Sequence, residues 1–117
     1  MGDKSWRLVK TDLYERRLSD FRKRRMEPLK SVLRNLQRYS EMLEAQPQAN
    51  LITAKFIHNE HHGVISLDQQ GYKPKQPATR LYLYPQQKSY TLYLITIGDK
   101  HSQQQDIKDC HKFIKNL

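Results

Sequence analysis

Apolar residues recur every three or four positions between Asp12 and Leu43, then alternate or run together between Phe56 and Ile97, so the period changes from helical to extended near Gln46. Tyr14, Leu18 and Phe21 mark a first helix, opened by Asp12 with Glu15 three residues later. Pro28 suits the first turn of a second helix, whose stripe of Leu29, Val32, Leu33, Leu36, Tyr39 and Leu43 is the cleanest amphipathic pattern in the chain. That helix ends before Pro47, and the two helices read as a hairpin with one shared apolar side. Ahead of them, Ser5–Lys10 reads as a short strand with Trp6 and Leu8 on one face.

Beyond the polar stretch 46–50, Phe56–Glu60 and Val64–Asp68 are short and β-like, broken at Gly63. Gln69–Ala78 is a loop carrying Gly71, Pro74 and Pro77 with Lys73 and Lys75. Arg80–Tyr84 and Tyr90–Ile97 are strands by alternation and by their β-branched and aromatic content, joined by a turn over Pro85–Lys88. Ser102 then caps a last helix whose buried stripe is Ile107, Cys110, Phe113, Ile114 and Leu117. The order predicts one α+β domain over residues 1–117: a small antiparallel sheet of about four strands, packed against an N-terminal helix hairpin and a C-terminal helix, with the helices on one side.

Composition narrows the setting. The 117 residues suit one domain, and no apolar run approaches the roughly 18 residues of a membrane span. The first residues lack the apolar core of a signal peptide. Cys110 is the single cysteine, so an internal disulfide and a cysteine-based zinc site are excluded, and a reducing, cytoplasmic setting is expected. The net charge of +9 is uneven: residues 1–40 hold 12 basic and 5 acidic side chains, a net of +7. Arg16, Arg17, Arg22, Lys23, Arg24 and Arg25 fall within ten positions. Such a block is either a solvated helix face or a footprint for a polyanion, with RNA or an acidic protein as partner.

The stretch TRLYLYPQQKSYTLYLITIGDK followed by SQQQDIKDCHKFIKNL resembles the strand–turn–strand–glycine–basic–helix ending of the RelE/ParE superfamily of bacterial toxins, including its HigB and YoeB branches. The resemblance implies a single RelE-like domain and a type II toxin neutralised by a cognate antitoxin, as a homodimer or in a heterotetramer with that antitoxin. The RelE-type branch cuts mRNA in the ribosomal A site without metal or cofactor; the ParE branch acts on gyrase, so a catalytically silent protein binding a protein or RNA target is the alternative. By position, Arg80 corresponds to an arginine that stabilises phosphate, Lys100 to the neighbourhood of a second basic residue, and His101 to a place where other branches hold a catalytic histidine. Two features of the RelE type are missing: the lysine pair of the preceding strand, where Val64–Leu67 reads VISL, and the terminal tyrosine, near Asp106 and Ile107.

Metal-free RNA cleavage needs a base for the ribose 2′-hydroxyl, a cation for the phosphate and an acid for the leaving 5′-oxygen. Histidine suits both proton roles and arginine the second. The candidates are Arg80, Lys100 and His101, with His58, Glu60 and His62 on one face of an extended 56–62 segment and His61 on the other. The arginine block, Lys73, Lys75 and Tyr82 are the RNA-binding candidates, Tyr82 through base stacking with Tyr84, Tyr90 and Tyr93 beside it. Each has a purely structural reading: the histidines as an exposed hairpin, Arg80 as partner of an acid such as Asp68, Lys100 and His101 as loop, the tyrosines as sheet packing. His58, His61 and His62 lack a thiolate or paired carboxylate to complete a zinc set, so no metal is expected. A glycine-rich phosphate loop, a two-metal carboxylate cluster and a nucleophile elbow are all missing from the sequence.

Overall fold

The computed structural model describes residues 5–69 and 78–117. In chain order the elements are β1 (Arg7–Lys10), α1 (Asp12–Arg24), α2 (Met26–Ala45), β2 (Ile57–Asn59), β3 (Ile65–Leu67), β4 (Thr79–Gln86), β5 (Thr91–Asp99) and α3 (Gln103–Lys115). The protein is α+β, as its apolar periods predict. The sheet has five strands rather than about four, in the order β1-β5-β4-β3-β2. It is mixed, because β1 joins β5 in parallel, Arg7 opposite Thr91 and Lys10 opposite Leu94.

The first helix of the hairpin starts where a backbone donor is satisfied. Thr11, one residue before the expected Asp12, caps α1: its Oγ1 accepts from the Tyr14 N–H at 3.0 Å and donates to the Ile95 carbonyl at 2.7 Å. Asp12 and Glu15 occupy the first turn, favourable against the helix dipole. Arg25 separates the helices, and Pro28 lies in the first turn of α2, where its missing N–H leaves no bond unmade. The predicted stripe of α2 holds: Leu29, Val32, Tyr39 and Leu43 are buried, with Leu33 and Leu36 packed against the same core.

The helices do not share one side of the sheet. Leu67, Leu81, Leu83, Leu92, Leu94 and Ile97 pack with α1 and α2, whereas Tyr82 and Ile95 pack with Cys110, and Ile107, Phe113 and Ile114 of α3 lie against that second cluster. Side chains alternate across a strand, so α3 covers the opposite face. The physical reason is that β4 and β5 are apolar on both faces and each face needs cover. A register shift between Tyr82 and Leu83 passes over Ile95, so Leu94 and Ile97 both face the helix hairpin. Leu8, read on the same strand face as Trp6, is exposed at 45%, whereas Trp6 packs partly buried against the core; Leu117 at the end of the α3 stripe is exposed too.

α3 sits close on β5 because Gly98 has no side chain. A Cβ there would lie 1.7 Å from Asp106 Oδ2 and 2.5 Å from Ser102 Oγ, both held in the turn and first helical turn that follow. Ser102 donates to Asp106 Oδ2 at 2.6 Å, and Asp106 is fully buried. Gly98→Ala is expected to destabilise the protein by about 2 kcal/mol or more, since a buried carboxylate must leave its hydroxyl partner to make room. Urea unfolding checks this, and an unchanged midpoint would contradict the close seating.

Candidate functional site

The register of the sheet gathers polar side chains on the α3 face. His58 pairs with Ser66, and Ser66 with Tyr82. Leu67 pairs with Leu81, so the next residue, Asp68, falls beside Arg80 on the neighbouring strand. His58, Glu60, Ser66, Asp68 and Arg80 thus share one face, a few ångströms apart along and across adjacent strands.

Within this group three contacts form. His58 Nε2 lies 2.6 Å from Asp68 Oδ2. Asp68 is fixed through its backbone: its N–H donates to the Phe56 carbonyl at 3.0 Å, and its carbonyl accepts from Nδ2 of the buried Asn35 of α2 at 2.8 Å. The carboxylate therefore holds the imidazole by one nitrogen, which settles the ring's orientation and leaves Nδ1 for other chemistry. Glu60 is buried and accepts from Ser66 Oγ at 2.6 Å and from Arg80 at 3.2 Å. Arg80 is tethered by one guanidinium nitrogen, so donors of its fork remain for another acceptor.

The other predicted residues separate. The chain turns at His61 rather than staying extended through 62, because His61, His62 and Gly63 all take positive φ, from 55° to 83°. His62 therefore does not join His58; its ring meets His111 of α3 edge-on, centroids 4.7 Å apart. Lys100 and His101 are exposed in the turn after β5, where Asp99 Oδ1 accepts the backbone N–H groups of His101 and Ser102. The Thr79–Asp99 pair, next to Arg80–Gly98, brings this turn to the Arg80 end of β4. Tyr82 is not a base platform. It is fully buried between sheet and α3, and burial, helped by Asp106 and Glu60, pushes its phenol pKa upward. Tyr84 and Tyr93 stack on each other at 6.3 Å, and Tyr93 also packs on Phe113. Cys110 is buried, and burial pushes its thiol up, against a nucleophilic role.

The arginine block divides in two. Arg17 reaches the Ile97 carbonyl and lies 3.7 Å from Asp106 Oδ1, and Arg25 pairs with Asp99. Arg24 pairs with Asp20 on the helix surface, while Arg16, Arg22 and Lys23 are exposed. Lys73 and Lys75 lie outside the described residues. Sequence reasoning missed Ser66 and Asn35, placed Glu60 on the face of His58 but not as the partner of Arg80, and read Asp68 as the partner of Arg80 instead of His58. Hydropathy gives Glu60 no signal as a buried residue, because its partners come from β3 and β4. Among the described residues no three His, Cys, Asp or Glu side chains group as metal ligands, and no helix is long and apolar enough to cross a membrane.

No protein-family model matches the chain, and no curated protein or solved structure is significantly similar to it.

Two expectations follow from the electrostatics. Burial would raise the Asp99 carboxyl, but hydrogen bonds from Arg25 and from the His101 and Ser102 amides outweigh it and hold the group below its usual 3.8. Its contribution to stability is present above that value and lost as pH falls through the folded pKa. The penalty of Arg25→Ala in urea unfolding should therefore be larger at about pH 7 than at about pH 3, and a penalty independent of pH would contradict the pair. Asp106 shifts the other way, raised by burial against the opposing effects of Ser102 and Arg17, so the comparison must be made between variant and wild type. The Tyr82 hydroxyl has no hydrogen-bond partner among the described residues. Tyr82→Phe should leave stability unchanged or slightly higher and RNA binding unaffected, measured by melting and by filter binding; weakened RNA binding would restore its role at the surface.

Proposed function

We propose that this protein is a cytoplasmic toxin of the RelE type, a ribosome-dependent mRNA endonuclease that stops translation and is held in check by an antitoxin. The observation that carries this reading is the juxtaposition of Arg80 and the His58–Asp68 pair on one sheet face. Asp68 orients His58, which takes the proton from the ribose 2′-hydroxyl through its remaining ring nitrogen. The 2′-oxygen then attacks phosphorus, and Arg80 donates its unused N–H groups to the equatorial oxygens as charge builds there. His101 supplies the proton to the leaving 5′-oxygen, with Lys100 drawing the backbone toward the turn. Arg16, Arg22 and Lys23 give the exposed cations for ribosomal RNA; Arg17 and Arg25 serve mainly to fasten α1. This set differs from the RelE-type lysine pair and tyrosine, so the proton chemistry falls to histidine.

One observation favours a second reading, a RelE-fold protein that binds its target without cutting it. Arg80 is engaged with a buried acid and His62 with His111, which is how structural residues are held.

Primer extension on mRNA in a translating extract separates the two. Wild-type protein should give cuts at defined codon positions. Arg80→Lys keeps a cation for Glu60 but loses the planar fork, and cleavage should fall by about a hundredfold or more with the melting temperature little changed. His58→Asn should do the same. Undiminished cleavage in Arg80→Lys would remove Arg80 from the mechanism, and intact mRNA with wild-type protein would favour the binding reading.

A further inference from the structure

Among the described residues the sheet ends at β2, whose strand neighbour is β3. Glu60 donates to the Val64 carbonyl and Asp68 to the Phe56 carbonyl, so the even-numbered residues of β2 turn their backbone toward β3. Ile57 and Asn59 consequently turn theirs outward. The Ile57 N–H is taken by the Ala54 carbonyl, and no other outward group has a partner among the described residues. The Ile57 carbonyl and the Asn59 N–H and carbonyl together offer a short edge to a further strand.

Beside this edge lies a groove of about 680 Å³, on the face shared with α1 and α2. Ile52, Ala54, Ile57, Ile65 and Pro85 line it, with Tyr39 of α2 beneath. It is built rather than incidental. Gln87 accepts from the Ala49 N–H at 2.9 Å and donates to the Pro47 carbonyl at 3.0 Å, pinning the segment after α2 as the groove's outer wall. Its lining carries no charged side chain. Between Gln46 and Leu67 the single carboxylate is Glu60, which is buried and paired with Arg80. Lys55 precedes the strand, and the Arg38 guanidinium lies 5.1 Å over the Phe56 ring at its start.

We infer that the β2 edge and its groove form a docking site for an extended, acidic segment of a partner protein. The segment adds a sixth strand, places alternate apolar side chains in the groove and sets carboxylates against Lys55 and Arg38. A second copy of this chain fits less well, because each copy brings the same cations, Lys55 and Arg38, to the shared edge and the chain as a whole carries a net charge of +9. The inference rests on the surface alone and holds whether or not the protein cuts RNA.

Fluorescence anisotropy with a labelled peptide of about seven residues, alternating Glu with Val and Leu, tests it. The wild-type protein should bind this probe, and binding should weaken with salt. A peptide of the same composition with its apolar residues clustered at one end should bind about tenfold more weakly or worse, as should one with Lys replacing Glu. Asn59→Pro removes the one outward N–H. With its circular dichroism and melting point intact, this variant should lose at least about tenfold in affinity; should its fold be disturbed, the wild-type protein with a peptide N-methylated at alternate residues reads the same hydrogen bonds. Equal binding of the scrambled peptide, undiminished binding by Asn59→Pro or to the N-methylated peptide, or no binding by the wild type would overturn the inference. A concentration-dependent dimer by sedimentation that is abolished in Asn59→Pro would overturn it too, by making a second copy the occupant.

Discussion

β5 needs partners along its whole length, and the rest of the architecture is arranged to supply them. Its nine residues run through the middle of the protein, and β4 pairs with one side throughout. On the other side β1 covers only Thr91–Leu94. Beyond that point α1 takes over: the Thr11 N–H donates to the Leu94 carbonyl, the Thr11 hydroxyl to Ile95, the Arg17 guanidinium to Ile97, and Arg25 pairs with Asp99 at the strand's end. A buried strand edge left bare would carry several unpaired carbonyls, each costing about 1–3 kcal/mol. The helix is thus laid along the edge by its own side chains, and Thr11 both ends β1 and begins α1.

This arrangement explains how a strongly basic segment belongs to a folded core. Arg17 and Arg25 come from the run that raises the charge of the N-terminal third, yet each turns inward to a carboxylate or carbonyl of β5 and α3. At 3.7 Å Arg17 gives Asp106 charge without a hydrogen bond, and Ser102 supplies the bond. The remaining cations point away from the sheet face where Arg80, His58 and Asp68 meet. The exposed cations of α1 and the candidate site therefore occupy different surfaces.

The candidate site has the same dependence on the sheet. Neither of its two ion pairs is local: Asp68 is ten residues from His58, and Glu60 is twenty from Arg80. The short strands β2 and β3 exist mainly as a hairpin that carries these residues, and its turn is made by consecutive residues in the left-handed region, two of them histidines. Gly63 is required there for space as well, since a Cβ would come within 2.9 Å of the Tyr84 ring.

The sequence by itself determined the elements. Stripes at helical spacing marked α1, α2 and α3, alternation marked β4 and β5, and Gly63 and Pro47 marked breaks or ends close to where they fall, whereas Pro85, read as the start of a turn, pairs with Leu92 inside β4. Arg80 and His58 were legible as candidates because their chemistry is carried by residue type. What only the tertiary structure decided is which face each element covers and which polar groups meet. Hydropathy showed that β4 and β5 are apolar but not that both faces are covered, so α3 was expected on the wrong side and Tyr82 at the surface. Likewise, Glu60 became the partner of Arg80, and Asp68 that of His58. Local patterns record whether a side chain avoids water, whereas hydrogen-bond partners are set by strand register, which pairs residues far apart in the chain.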